Sequence, residues 1–285
     1  MSKRRKVADL CSREGFHQLA VQIAKVSREC FVELPATISK ERMFVIPDEI
    51  PTFMDTTAPA GEIRACYIQY LISSILHVRI FQPFLFTLRR QYAGVDTFLQ
   101  SLSKDICRKS ERREAIWRQT TLRAAYTVSK AKEAINVVTA AIVDEIVDEI
   151  KHFAHHSAWP AIIGGTQCIV RSAAEVWRFA RVEREPIKSF MHEVGSYDSR
   201  DCAWLESQQD AIIDDQSALA RDTRHPRQVI MCLLPHIVRE AAHEGFLSKA
   251  ERLTNGPCIY LQGRVLYEDS TIVLARRQEL EQSSV

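Results

Sequence analysis

Nine cations within 29 residues are the densest chemistry-bearing feature of the chain. Lys104, Arg108, Lys109, Arg112, Arg113, Arg118, Arg123, Lys130 and Lys132 are opposed only by Asp105, Glu111 and Glu114, a net charge of +6 between residues 104 and 132. With Trp117 and Tyr126 interleaved, the block has the make-up of a surface that tracks phosphates and stacks bases. Internal pairing explains it equally. Acidic groups gather at Asp144, Glu145, Asp148 and Glu149, and again at Asp198, Asp201, Glu206, Asp210, Asp214 and Asp215. The overall charge of +2 favours pairing, and no recognised nucleic-acid-binding motif accompanies the block.

Two arginine–tryptophan spacings point to another use. Arg113 and Trp117 are four residues apart, as are Trp177 and Arg181, so on a helix each guanidinium can cover an indole face. Such stripes border ordinary helix packing, or they anchor a protein interface, where tryptophan and arginine are enriched. The candidate partner-binding residues are therefore Arg112, Arg113, Trp117, Arg118, Trp177, Arg178 and Arg181.

Catalytic and metal signatures are weaker. Glu-x-x-His occurs at Glu14/His17, Glu149/His152 and Glu240/His243. Two such pairs, joined by a glutamate from each of two other helices, make a carboxylate metal site in a bundle. On the wheel His152 turns about 100° from the centre of its apolar arc, so this pair does not converge inward. Glu149, His152, Glu240 and His243 stand as weak metal candidates, and no cofactor is implied. There is no Gly-x-Ser-x-Gly elbow, Walker loop or dinucleotide fingerprint. Gly164-Gly165 lacks the lysine and hydroxyl residue that a phosphate loop needs. None of the eight cysteines is singled out by its neighbours, and no catalytic residue is assigned.

The elements that must position these groups are organised around Glu62 to Arg90. Ala65 to Val78 passes fourteen residues without a charge, and its apolar positions cover more than one side of a helix, as in an element surrounded by others. Arg79 and the polar Gln69, Ser73, Ser74 and His77 argue against a membrane span, and Pro83 must kink or end the helix. A helix is expected over 9–32. A Pro-rich connector follows over 33–60, with a helical turn near Lys40 to Phe44. Further helices are expected over 96–109, 110–126 and 129–154, with Phe98, Leu99, Leu102 and Ile106 of the first turned inward. In the third, Ile135, Val138, Ile142, Ile146, Ile150 and Phe153 form an inward stripe. Ile169 to Glu185 is helical, and Gly164-Gly165 bends or delays its start. A surface helix is expected around Cys202 to Asp214, and another from Pro226 to His243. Only Cys258 to Tyr267, around Gln262-Gly263, suits a β-hairpin. A short helix capped by Asp269 or Ser270 closes the described pattern. The fold class is all-α, an irregular multi-helix domain with at most that small hairpin. A mobile basic segment over 1–8 precedes it, the central helical domain spans 61–195, and an acidic segment with C-terminal helices over 196–285 packs on the same core.

Composition places the chain among globular proteins, with 46% hydrophobic and 26% charged residues and only nine glycines. No two cysteines stand closer than nineteen residues, so no Cys-x-x-Cys pair nucleates zinc. The N-terminus lacks the apolar stretch of a secretory signal. A reducing compartment, nucleus or cytoplasm, is expected. Lys3, Arg4, Arg5 and Lys6 form a nuclear-import candidate, with a solvated terminus as the plain alternative.

Several runs carry a resemblance. They are Gln82-Pro83-Phe84-Leu85-Phe86-Thr87-Leu88, Asp96-Thr97-Phe98 and Arg112-Arg113-Glu114-Ala115-Ile116-Trp117-Arg118. Others are Ala124-Ala125-Tyr126-Thr127, Ile142-Val143-Asp144-Glu145-Ile146 and Glu175-Val176-Trp177-Arg178, with an echo in Tyr260 to Tyr267. Together they resemble a family of uncharacterised helical proteins of filamentous fungi with no assigned activity. The resemblance implies a fungal origin and an intracellular role, and it brings no catalytic residue.

Three functions follow as expectations. The first is a non-enzymatic interaction or scaffold protein whose partner is another protein or a second copy, not a membrane. The second is a nuclear regulator contacting nucleic acid through 104–132. The third is a metal-dependent helical-bundle enzyme.

Overall fold

A computed structural model of the chain describes residues 3–31, 33–35, 46–88, 92–197, 204–206, 227–241 and 257–283, with backbone alone for 3–12. Its elements are α1 (Lys3–Glu29), α2 (Ala58–Leu76), α3 (Ala93–Lys109), α4 (Glu111–Thr127), α5 (Ala131–Ile150), α6 (Trp159–Arg181), β1 (Ile187–Phe190), β2 (Leu205–Glu206), β3 (Val229–Leu234), β4 (His236–Arg239), β5 (Cys258–Leu261), β6 (Arg264–Tyr267) and α7 (Thr271–Ser283). The described chain is mostly helical but not all-α, because six short strands form two three-stranded sheets. The basic run Lys3 to Lys6 lies within the first turns of α1. The expected elements around Lys40 to Phe44 and Cys202 to Asp214 lie outside the described residues, as does His243.

α2 is the central helix. Ile63, Ile68, Ile72 and Leu76 are wholly buried, and α1, α5, α7 and β3 all pack on it. Pro59 enters its first turn, where no amide donor is needed, and Thr57 caps it by accepting from the Ala60 amide. It runs into a π-helical turn, His77–Phe81, and helical structure stops before Pro83. α5 buries Ile142, Ile146 and Ile150 along the expected stripe. α6 passes straight through Gly164-Gly165, because the second glycine is a contact point and not a breaker. A Cβ at Gly165 would stand 2.5 Å from Val26, and one at Gly15 would stand 2.7 Å from Val176. Two glycines, one on each helix, thus let α1 and α6 approach closely.

The expected helix from Pro226 to His243 is instead β3 and β4. Val229 to Leu234 is a six-residue apolar run buried on every side, which a helix wheel accommodates as readily as a covered strand; its length and its termination at Pro235 decide for the strand. The expected hairpin at 258–267 is also corrected. β6 pairs antiparallel with β3, from Val229 opposite Tyr267 to Leu234 opposite Arg264. β5 pairs antiparallel with β4, Ile237 opposite Leu261 and Arg239 opposite Cys258. The two arms, 229–239 and 258–267, make one long ribbon, and Gln262-Gly263 is the bend in one arm where it faces Pro235–His236 in the other. The Gly263 amide donates to His236 Nδ1 at 3.4 Å, and a Cβ there would stand 2.2 Å from the Trp204 ring. β1 extends one half of the ribbon and β2 the other.

The ribbon is locked onto the helices. Ser73 donates to the Leu233 carbonyl at 2.6 Å. Arg13 donates to the Ile259 carbonyl at 3.0 Å, and Phe16 stacks on Tyr260 with 6.1 Å between centroids. Two buried arginines fasten the connector. Arg64 donates to the carbonyls of Phe31, Phe53 and Asp55 at 2.8, 2.9 and 3.2 Å. Arg276 of α7 donates to Thr52 O at 2.7 Å and pairs with Asp55 and Glu279. Replacing Arg64 with leucine strands three carbonyls in a dry interior, so Arg64→Leu is expected to lower stability by about 2–4 kcal/mol, read as a shifted urea midpoint at unchanged slope.

Candidate functional site

α3 and α4 form a hairpin at the edge of the helical core, and one arginine holds it there. Arg118 is 2% exposed. Its Nε pairs with the buried Glu114 at 3.1 Å, one helical turn earlier on α4. Its two terminal nitrogens donate to the carbonyls of Arg181, Glu183 and Arg184 at 2.8–2.9 Å. Gln119 donates to the intervening Val182 carbonyl at 3.0 Å. A helix end and the turn after it leave carbonyls without partners, and here two α4 side chains satisfy those of Arg181, the last residue of α6, and of 182 to 184 beyond it. Glu114 also accepts from Ser103 of α3 at 2.7 Å, so the same ion pair joins α3, α4 and the end of α6. At the other end of α3, Asp96 accepts from the amides of Phe84 and Leu85 at 3.2 and 2.9 Å.

The predicted arginine and tryptophan residues therefore part company. Arg118 is an interior clamp. Trp177 is 1% exposed, packed against Phe16 and Phe81, so it is a core residue and not a surface anchor. Arg181 lies over both Trp177 and Phe84, at 5.8 and 5.4 Å from the ring centroids; burial, then the neighbouring Arg118 charge, pulls its pKa down to about 10. Trp117 packs on Phe84. Arg178 is half-buried, over the exposed Phe179 ring. Only Arg112 and Arg113 stand on the open surface. Of the acidic groups expected to neutralise the basic block, Glu145 pairs with Arg79, Asp148 with Lys151 and Glu206 with Arg227, while Asp198, Asp201, Asp210, Asp214 and Asp215 lie outside the described residues.

What remains is a basic hairpin with an open apolar edge. On the hairpin Lys104, Arg108, Lys109, Arg112, Arg113 and Arg123 are exposed against exposed Asp105 and Glu111, a net of +4, and Lys130 and Lys132 are exposed just beyond it. α3 has no fully buried residue and packs chiefly on α4. Phe98, Leu102, Val95, Ile106 and Leu99 fall within an arc of about 100°. The Leu99 and Ile106 side is half-buried, whereas Phe98 is 64% and Val95 46% exposed. Phe98 is thus corrected from an inward to an outward residue, because amphipathic spacing marks an apolar face without saying whether anything covers it. On α4, Ile116 is 56% exposed, and Arg112, Arg113 and Arg123 lie within about 60° of it on the wheel. Ile116 gave no distinct signal in the sequence.

The remaining chemical candidates do not assemble. Glu240 directly follows β4 and pairs with Lys188, and its expected partner His243 lies outside the described residues; Glu149 is exposed at the end of α5 and His152 half-buried in the turn after it. Among the described residues no three His, Cys, Asp or Glu side chains gather as ligands. Burial pushes the thiols of Cys66 and Cys232 up to about 12, which makes them poor nucleophiles at neutral pH. A serine–histidine contact missed by sequence reading joins the π turn to β1. His77 Nδ1 lies 2.9 Å from Ser189 Oγ, and Gln82 Nε2 lies 3.0 Å from His77 Nε2. The two contacts tie the π turn to β1 through the imidazole, and which ring nitrogen carries the proton is set by the orientation of the Gln82 amide. Burial pulls the pKa of His77 down to about 4.

Comparison with family models, curated proteins and solved structures gave no match. The site is read from its own geometry.

Two outcomes are expected. Arg118→Met leaves Glu114 buried without its partner and three carbonyls unbonded, at a cost of about 3–5 kcal/mol, and Arg118→Lys recovers only part of this, because a point charge cannot fork as guanidinium does; denaturant unfolding measures both. His77 is held neutral, so its contribution to stability is full above pH 6.5, falls as the pH drops towards about 4 and is flat below. The loss is about 3 kcal/mol, and His77→Gln removes that slope from urea midpoints measured between pH 7 and 4.

Proposed function

We propose that this chain is a non-enzymatic interaction or scaffold protein of the nucleus or cytoplasm whose docking element is the α3–α4 hairpin. The open edge of α3 carries this reading. A helix with a continuous apolar arc, fixed at both ends by Asp96 and Glu114 yet covered along only one side, is a surface built for a further layer. An intracellular setting is supported by free thiols at Cys30, Cys66, Cys107, Cys168, Cys232 and Cys258. Among the described residues no helix is long and apolar enough to cross a membrane. The resemblance to helical proteins of filamentous fungi suits the reading and adds no chemistry to it.

A second reading, contact with nucleic acid, draws on the exposure of Arg112 and Arg113 with six other cations. It is weakened by the placing of Trp117 and Arg118, which serve the interior. Native mass spectrometry of the protein from its own host cells separates the two. A polypeptide that co-purifies in fixed ratio, and is lost in Phe98→Ser/Ile116→Ser at unchanged helicity, is expected. A bare monomer, or bound nucleic acid in place of a polypeptide, overturns the reading.

A further inference from the structure

We infer that the partner of the hairpin is an acidic amphipathic helix, which lays apolar residues along Val95, Phe98 and Leu102 and sets carboxylates against the surrounding cations. This rests on the interaction reading above and names the chemistry of the partner. The apolar edge is linear and runs along a helix axis, from Val95 to Leu102 at spacings of three and four. That is the complement of another helix with anchors at i, i+3 or i+4, and i+7. The rim is mainly positive, interrupted by exposed Asp105, which pairs with Arg108 at 3.0 Å. Lys109 stands beside the Phe98 edge on the wheel, Arg108 lies past Asp105, Lys104 is on the opposite face of α3, and Arg112, Arg113 and Arg123 frame Ile116 on α4. A partner that covers the apolar edge brings its flanks against these groups, and only acidic flanks turn that proximity into attraction.

The same charge counts against other occupants. A second copy presents a +4 surface to a +4 surface, so like charges meet where two hairpins abut. A single-stranded nucleic acid satisfies the cations but needs open aromatic faces. Of the aromatic side chains on the hairpin, Trp117 is packed on Phe84 and Tyr126 on Phe86, which leaves Phe98 and the capping Tyr92 to stack while Val95 and Ile116 contribute nothing to a base. Aliphatic side chains between arginines suit a protein helix better.

The test uses the full chain and three fluorescent probes in anisotropy titrations at physiological salt. One is a synthetic helix of about 18 residues with leucine at i, i+3, i+4 and i+7 and glutamate on its flanks. The second replaces each glutamate with lysine, and the third is a single-stranded oligonucleotide of similar length. Saturable binding of the acidic helix is expected, weakened roughly tenfold by Phe98→Ser and again by Arg112→Glu/Arg113→Glu, with little binding of the lysine version. Both variants alter exposed side chains, and their circular dichroism confirms folding. The inference is overturned by equal binding of the acidic and basic helices, by acidic-helix binding that ignores both variants, or by binding of the oligonucleotide alone. If the co-purifying polypeptide requires Phe98 and Ile116 while the acidic helix fails, the interaction reading stands and the partner chemistry is wrong. If neither binds, both fall.

Discussion

The geometry of this protein's exposed edge depends on a charge that never meets solvent. Arg118 is taken out of water at considerable cost, and that cost is offset only because every donor has somewhere to go, a carboxylate one turn back and three carbonyls where α6 ends. Helix α6 closes without a glycine cap because a neighbouring helix supplies the cap. The result is a rigid three-way junction from which α3 projects with its apolar face half-dressed. Without that junction α3 and α4 would be free to collapse on the core and cover the edge now left open.

Arginine does this elsewhere in the fold. Arg64, Arg276 and Arg118 each reach across from one element to the bare carbonyls of an irregular segment. Irregular backbone has no ladder to bond with, and a guanidinium is the one side chain with enough donors to serve several carbonyls at once. Net charge says little about such residues. Part of what looks like surplus positive charge in the sequence is internal scaffolding.

How much of this could be read in advance follows from the physics. Helices with one wet face announce themselves by period, so α5 and the body of α6 were legible; α2 was legible from its long uncharged run, and its end from Pro83. Val229 to Leu234 was not, since a segment buried on all sides has no period to display. The ribbon was half visible. Strand-forming residues at 258–267 were recognisable, but their partners lay thirty residues upstream and not across Gln262-Gly263. Phe98 was misplaced because amphipathicity is a property of one helix and burial a property of two. Arg118 carried a faint signal, Glu114 four residues before it, which marks a pair but not its depth.

One contact bears on how the molecule is made. Arg13 and Phe16 of α1 bond and stack against Ile259 and Tyr260, 246 residues further along the chain for the hydrogen-bonded pair. A growing polypeptide emerges at roughly 5–20 residues per second, so α1 waits on the order of tens of seconds for a surface that does not yet exist. During that interval Phe16, Leu19 and Ile23 have only partial shelter, even once α6 has arrived to meet Gly15 and Val26. The helix synthesised well ahead of the ribbon is completed only with it.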